Sequence, residues 1–161
     1  MKPSDVVYLT KSRLVELENE LIVLKTAGRK YIAEKIAEAR AHGDLSENAE
    51  YDAAKEAQGH HEMKINKLET MLSRVKIISP DDMPTNGIYI LSVVKVLDIN
   101  LKEEITFSLV SPEEADFELD KISVTSPIGK SLLGKKKHDI VEIQVPAGLL
   151  KFKILEISKI V

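Results

Sequence analysis

The stretch from residue 43 to residue 51 carries three acidic side chains at successive spacings of three, Asp44, Glu47 and Glu50. If a helix begins near Asp44, residues three apart lie on one face, so the carboxylates of Asp44 and Glu47 point the same way. Paired carboxylates suit a hard cation. The same two residues also fit the acidic variant of a capping box, because acidic side chains are favoured in the first turn of any helix. Spacing alone leaves both interpretations open.

This acidic stretch lies between two long segments whose apolar residues recur with a helical period. Gly43 follows the first segment where a C-cap glycine is expected, and Asp44 or Ser46 can cap the start of the second segment. The stretch is therefore predicted to be the tip of a helical hairpin. An EF-hand is excluded, because its sixth position is Ala49 instead of glycine and its twelfth is Lys55 instead of glutamate.

Both long segments carry apolar residues at alternating spacings of three and four, which is typical of a coiled coil. In the first segment, with Thr10 as its predicted N-cap, these positions are Leu14, Leu17, Leu21 and Leu24. Beyond Gly28 the series moves to Ile32, Ile36 and Ala39, which predicts a stutter in the supercoil. In the second segment the apolar positions are Ile65, Leu68, Leu72 and Val75, and toward the tip the same spacing continues through small and polar residues, His61, Gln58, Ala54 and Tyr51. The two segments are predicted to pack as an antiparallel pair.

The turn-rich segment 79–84 ends the helical pattern and predicts a domain boundary, with one domain over residues 1–79 and a second over residues 80–161. Strands are predicted in the second domain at 88–97, 104–110, 139–145 and 149–157, from their β-branched residues and intervening turns. A short helix is predicted to open at Ser126-Pro127 and to close at Gly134. The predicted class is α+β, a helical hairpin followed by a small antiparallel sheet.

The amino-acid composition excludes several kinds of functional site and partner. The 161 residues include no cysteine, so no disulfide framework or thiolate site can be argued. The net charge of −3 predicts no basic stripe for nucleic acid, and an aromatic content of 4% supplies few stacking surfaces or aromatic-walled ligand pockets. No apolar run approaches membrane-spanning length, and a cytoplasmic location is expected. A protein surface is therefore the expected main partner, without a small-molecule substrate.

Other chemistry-bearing residues give weaker signals. His60 and His61 point about 100° apart on a helix, so they are not expected to share an ion; His61 is assigned to the packed face and His60 to solvent. Arg40 and Lys55 lie on opposite sides of the acidic tip, where they could meet a phosphate backbone or be solvated helix charges. No nucleophile with a base, phosphate loop or dinucleotide motif is present, so the chain is expected to lack an active site of its own.

The run from Ala37 to Glu56 closely resembles the tip signature of the bacterial Gre transcript cleavage factors of the GreA type. The resemblance extends to residues 8–10 and 126–135, and so spans most of the chain. It implies a C-terminal domain similar to the FK506-binding-protein fold. Leu91 and His138 depart from the family pattern, because many relatives carry glycine at these positions.

The resemblance implies a transcription elongation factor that binds RNA polymerase and stimulates cleavage of nascent RNA in arrested complexes. The resemblance further implies that the hairpin enters the secondary channel of the polymerase, where Asp44 and Glu47 would help to hold a catalytic magnesium beside the aspartates of the enzyme. The isolated chain is expected to bind no magnesium. Arg40 and Lys55 are expected to contact the nascent RNA. The residues expected to order the tip are Ser46, Asn48, Glu50 and Tyr51.

Two alternatives belong to other functional classes. One is an inhibitor or chaperone that occupies the polymerase channel without cleavage; the intact pair Asp44 and Glu47 argues against it, since a plug needs no metal ligands. The other is a peptidyl-prolyl isomerase, which requires an aromatic-lined cleft. Its candidate aromatic residues stand at scattered positions: Tyr89, Phe107, Phe117 and Phe152. The expected oligomeric state is a monomer.

Overall fold

The computed structural model describes residues 5–43, 48–84 and 86–161. Its contacts divide the chain into two units: residues 13–74 form one, and the described residues before 13 group with 75–161 in the other. This division differs from the predicted boundary between residues 79 and 80. The reason is a parallel pairing of β1 (Val7–Leu9) with β2 (Val75–Ile77), which joins the start of the chain to the segment after the hairpin.

Unit 13–74 is a hairpin of long helices. The first arm runs through α1 (Lys11–Val23), a π-helical turn (Leu24–Gly28) and α2 (Arg29–Arg40), and the second arm is α3 (Ala49–Leu72). The predicted coiled-coil positions are the less exposed ones along both arms, as their spacing requires. The buried members are Leu17, Ile36, Ala39, Ile65 and Leu68. Near the end of α3, Met71, which the pattern did not include, is buried, whereas the predicted Leu72 is only half-buried. The last predicted position, Val75, lies in β2, beyond the end of α3.

The second unit contains a five-stranded sheet in the order β5-β4-β3-β7-β6. Its strands are β3 (Ser92–Asp98), β4 (Glu103–Val110), β5 (Lys121–Ser123), β6 (Ile140–Val145) and β7 (Gly148–Lys159). The predicted antiparallel pairs are present, but β5 pairs with β4 in parallel, so the sheet is mixed. The prediction missed β5 because a three-residue edge strand carries almost no periodic signal. The likeness to the FK506-binding-protein fold stays a prediction.

The core of this unit lies between one face of the sheet and the short helix α4 (Pro127–Leu132). Alternate residues of β3 are buried, as a strand with one face in the core requires. The buried cluster includes Ile88, Val94, Val96, Leu109, Leu132 and Ile154. Within it, the rings of Phe107 and Phe152 lie 5.9 Å apart. The helix begins as predicted, because Ser126 caps it by accepting a hydrogen bond from the Gly129 N–H.

The two departures from the family pattern stand where the backbone is left-handed. Leu91 has φ 68° and His138 has φ 76°, values that favour glycine. Leu91 ends the segment 88–91 in a turn, in which the Ser92 N–H donates to the Tyr89 carbonyl. For this reason β3 starts at Ser92 instead of at residue 88 as predicted.

Candidate functional site

The tip of the hairpin is reached through the end of α2. The N–H groups of Ala41 and His42 still donate to carbonyls of the last helical turn. Gly43 then takes φ 119°, a left-handed value that a residue with a side chain rarely adopts. The first arm therefore ends at the glycine that the sequence predicted.

Asn48 begins the second arm. Its Oδ1 accepts a hydrogen bond of 3.1 Å from the Tyr51 N–H, and its Nδ2 donates a bond of 2.5 Å to the Ala39 carbonyl. One amide side chain thus caps α3 and ties it to the last turn of α2. The sequence had assigned the cap to Asp44 or Ser46. The amide of Asn48 makes both bonds at once because its acceptor oxygen and its donor nitrogen are separate atoms.

Asp44, Ser46 and Glu47 lie outside the described residues. Asp44 and Glu47 were predicted to share one helix face on the condition that a helix begins near Asp44. In the structure, α3 begins at Ala49. The pairing of the two carboxylates therefore stays a prediction.

The remaining predicted tip residues take separate partners. Glu50 is exposed, and its Oε2 lies 3.3 Å from Nε2 of His42. The Arg40 guanidinium lies over the ring of Tyr51, with 5.8 Å between its Cζ and the ring centroid, a cation–π geometry. Lys55 donates to Oε1 of Gln58 at 2.8 Å. Arg40 and Lys55 are both exposed but do not converge on a common partner.

A groove of about 420 Å³ lies between α2 and α3 next to the tip. This groove was not predicted from the sequence. The feature that could have indicated it is the group of alanines on α3, whose short side chains leave space between the helices. The Lys35 ammonium at its rim bonds to Glu38, and this bond raises the pKa of Lys35. The lining residues are Tyr31, Ile32, Lys35, Glu38, Ala39, His42, Glu50, Ala53, Ala54 and Ala57.

A second cavity, of about 380 Å³ and mostly apolar, belongs to the sheet unit. Phe107 and Phe117 both line it, although they are ten positions apart in sequence. Phe152 contacts Phe107 from within the core and is 2% exposed. The aromatic residues are thus less scattered than their sequence positions indicated, but Phe117 is 92% exposed and forms a rim instead of a wall.

Over residues 5–43, 48–84 and 86–161, no three His, Asp or Glu side chains converge as a metal site would require. Within the same ranges, no helix combines the length and the apolar character needed to cross a bilayer.

Asn48→Ala is expected to lower the free energy of unfolding of the hairpin by about 1–2 kcal/mol, because both the cap and the bond to Ala39 are lost. Asn48→Asp keeps the acceptor for the Tyr51 N–H but removes the donor, so its loss should be about half as large. Urea unfolding followed by helical circular dichroism measures both. Equal losses in the two variants would mean that the cap on the Tyr51 N–H contributes nothing, and no loss in Asn48→Asp would mean that the bond to Ala39 contributes nothing.

Comparison with known proteins places both parts of the chain in one class. A family model described as the N-terminal part of transcription elongation factors matches residues 7–77, and one described as the GreA/GreB C-terminal part matches residues 83–159. The hairpin and the sheet unit together are therefore those of a transcription elongation factor. The chain belongs to the GreA/GreB family.

Individual relatives agree over nearly the whole length. The chain is 57% identical over 156 residues to transcription elongation factor GreA of Chlorobium phaeobacteroides strain BS1, covering 96% of this chain and 98% of the relative. It is 51% identical over 155 residues to that of Chloroherpeton thalassium, with the same coverage of 96% and 98%. Among solved structures, GreA factor homolog 1 of Thermus thermophilus is 29% identical, with 94% of this chain and 98% of that chain covered and a TM-score of 0.43.

Proposed function

We propose that this chain binds RNA polymerase and stimulates the polymerase's own cleavage of nascent RNA in arrested or backtracked complexes. The observation that carries the proposal is the match of elongation-factor family models to both units. The hairpin is the element that can deliver carboxylates to a partner, because the segment that joins its two arms contains Asp44 and Glu47. The sheet unit is proposed to supply the docking surface for the polymerase.

The structure supports a delivery role for the hairpin, because the described residues on both sides of the tip are anchored. Gly43 ends the first arm in a left-handed conformation, and Asn48 bonds both to α3 and to the Ala39 carbonyl. Four residues separate these two anchors, and they include Asp44 and Glu47. In sequence, both acids therefore stand between the end of one helix and the start of the next.

The chemistry of these acids fits magnesium, which prefers oxygen ligands and is usually held by one or two carboxylates together with waters and phosphate oxygens. We propose that Asp44 and Glu47 complete a site that aspartates of the polymerase and phosphates of the RNA share. Magnesium held there would supply an activated water and would neutralise the charge that develops during phosphodiester cleavage. Two carboxylates leave an octahedral set incomplete, so the chain alone should hold no magnesium.

The remaining assignments follow from this role. Arg40 and Lys55 are exposed on the two arms near the tip and are proposed to contact the nascent RNA. The chain is proposed to be an accessory factor and not itself the nuclease, to act as a cytoplasmic monomer, and to take no small-molecule substrate. A channel-occupying inhibitor is the less favoured reading, since Asp44 and Glu47 would then have no role as metal ligands.

A transcript-cleavage assay on stalled elongation complexes tests the function. Shortened RNA should accumulate faster when the protein is added, and the released fragments should be absent when the polymerase is omitted. Polymerase binding without any acceleration would support the inhibitor instead.

The isolated protein is expected to bind magnesium only weakly, at millimolar concentrations or above, because magnesium is reluctant to lose its waters to so few ligands. Calorimetric titration of the free protein with magnesium, paired with a nuclease assay lacking polymerase, tests this prediction. Tight binding that is lost in Asp44→Asn, or metal-dependent RNA cleavage by the protein alone, would show that the tip is a complete site.

A further inference from the structure

The first arm of the hairpin contains a π-helical turn, Leu24–Gly28, between α1 and α2. The residues on both sides of it remain helical, with φ −62° and ψ −43° at Val23 and φ −64° and ψ −38° at Arg29. The helix thus continues through the turn instead of breaking. Isolated π turns within α-helices are rare and frequently mark functional positions.

Two carbonyl groups at this π turn take side-chain donors. The Thr26 hydroxyl donates to the Ile22 carbonyl at 2.8 Å, one turn earlier in the same arm. Nε2 of His61, on α3, lies 2.8 Å from the Leu24 carbonyl oxygen. A carbonyl oxygen can only accept, so Nε2 of His61 carries the proton in this bond. The irregular turn is therefore linked to the opposite arm by a specific hydrogen bond.

Gly28 makes room for this bond. A Cβ atom at position 28 would lie 2.5 Å from Cε1 and 2.8 Å from Nε2 of the His61 ring. Glycine inside a helix costs about 1 kcal/mol relative to alanine, so its presence here indicates a packing role. The absence of a side chain at Gly28 lets the imidazole approach the backbone of the first arm.

The two arms use different numbers of residues between the same two cross-links. From Leu24 to Ala39 the first arm advances 15 residues, while from Asn48 to His61 the second arm advances 13. At 1.5 Å per residue this mismatch is about 3 Å, and each extra residue turns a regular α-helix by about 100°. The π turn widens one helical turn and so accommodates part of the mismatch, which keeps Ile36 and Ala39 facing α3.

Two ion pairs also join the arms at the π turn. Arg29, directly after the turn, makes two bonds of 2.9 Å to Glu62, and these lower the pKa of Glu62 and raise that of Arg29. Lys25, within the turn, pairs with Glu69. All four side chains are more than a third exposed, and exposed ion pairs contribute little to stability. The half-buried contact of His61 with Leu24 and Gly28 is the more specific link.

We infer that the π turn, held by His61, sets the rotation of α2 and thereby the direction in which the hairpin presents its tip. His61 is then a positioning residue for transcript cleavage, although it lies 13 residues from Asn48 along α3. This inference rests on the proposed function. It assigns a role to a histidine that the coiled-coil pattern would fill equally well with leucine.

His61→Leu tests the inference, because leucine fills a coiled-coil position but cannot donate to the Leu24 carbonyl. At saturating factor, the maximal rate of transcript cleavage should fall on the order of tenfold, since small misplacements far from the chemistry are costly. The factor concentration that gives half-maximal stimulation should change less than about twofold, because polymerase docking is assigned to the other unit. His61→Gln, whose amide can donate to Leu24, should recover much of the rate.

His60→Gln is the matched control, because His60 is the adjacent residue but is exposed and lies beside Glu56 of the same helix. The His60→Gln protein should stimulate transcript cleavage to the same extent as the wild type. Helical circular dichroism and thermal unfolding identify variants that have lost the hairpin. Gly28→Ala is a second test from the opposite arm, because its added methyl group displaces the His61 ring. It should lower the maximal rate in the same way.

The possible outcomes separate the positioning role of His61 from the proposed function of the protein. If the wild type stimulates cleavage and folded His61→Leu and Gly28→Ala proteins match its maximal rate, the positioning role is wrong. The role is equally wrong if His61→Leu only weakens the apparent affinity, or if His61→Gln gives no recovery. If the wild type itself does not stimulate cleavage, the proposed function fails and the inference fails with it.

Discussion

Asp44→Asn and Glu47→Gln are each expected to lower the maximal rate of stimulated transcript cleavage at least 10- to 100-fold, since even indirect supports of a metal site contribute that much. Each substitution preserves size and one acceptor oxygen but replaces the other carboxylate oxygen by an amide nitrogen, so that the charge of a metal ligand is lost. Binding to the polymerase should change little, because docking is assigned to the sheet unit. Single-turnover cleavage at saturating factor, together with a competition-binding measurement, separates the two effects.

Glu56→Gln is the control for this prediction. Glu56 is an exposed acid on the same hairpin, and its Oε1 lies 3.5 Å from Nε2 of His60, away from the tip. Its substitution changes the charge of the protein by the same amount and should leave cleavage unaffected. Near-normal stimulation of cleavage by Asp44→Asn and Glu47→Gln would show that neither acid is a metal ligand, and equal losses in all three variants would indicate a general effect of charge.

Gly129→Ala is expected to destabilise the sheet unit by about 2–4 kcal/mol, combining overpacking with loss of the α4 cap. A Cβ atom at this position would lie 2.0 Å from the Ser123 carbonyl oxygen, which is backbone and cannot rotate away. Ser126 is held in the same contact, because its hydroxyl donates to the Ser123 carbonyl at 2.6 Å and accepts from the Gly129 N–H at 3.0 Å. Moving α4 would therefore break the cap as well as the packing.

Differential scanning calorimetry measures this effect as a shift of about 10 °C or more in the transition of the sheet unit. Gly59→Ala is the matched substitution. Gly59 lies inside α3 with no atom within 4 Å of an added Cβ, so alanine there should raise the stability of the hairpin by about 0.5–1 kcal/mol. An unchanged transition in Gly129→Ala would mean that α4 shifts freely, contrary to the buried position of Leu132.

Much of the hairpin could be predicted from the sequence because its signals are local. The spacing of Leu17, Ile65 and Leu68 placed them on the buried stripe, and the shift beyond Gly28 predicted an irregularity where the π turn is found. The pattern could not show that this irregularity is a π turn or that His61 binds the Leu24 carbonyl. That bond depends on which residues of the two arms lie at the same level, and this register follows from packing along the whole hairpin.

The ends of elements were less predictable where a side chain has two partners. Asp44, Ser46 and Asn48 are all good N-caps, and propensity does not distinguish them. Asn48 caps α3 because its amide also reaches the Ala39 carbonyl, a contact that exists only when the arms are packed. In the sheet unit, the β-branched residues before Ser92 indicated strand, but the left-handed backbone of Leu91 begins a turn there.

The sequence by itself determined the class of the protein and the identity of its candidate chemical groups. Helix and strand periods, the glycine at position 43 and the acids at 44 and 47 are properties of short segments, and each can be recognised without knowing what packs against it. Only the tertiary structure joined β1 to β2 and placed the Tyr8 N–H on the Ser111 hydroxyl, 103 residues away. Such contacts form between segments that carry no local signal for each other, because their energy comes from burial and hydrogen bonding after the chain has folded.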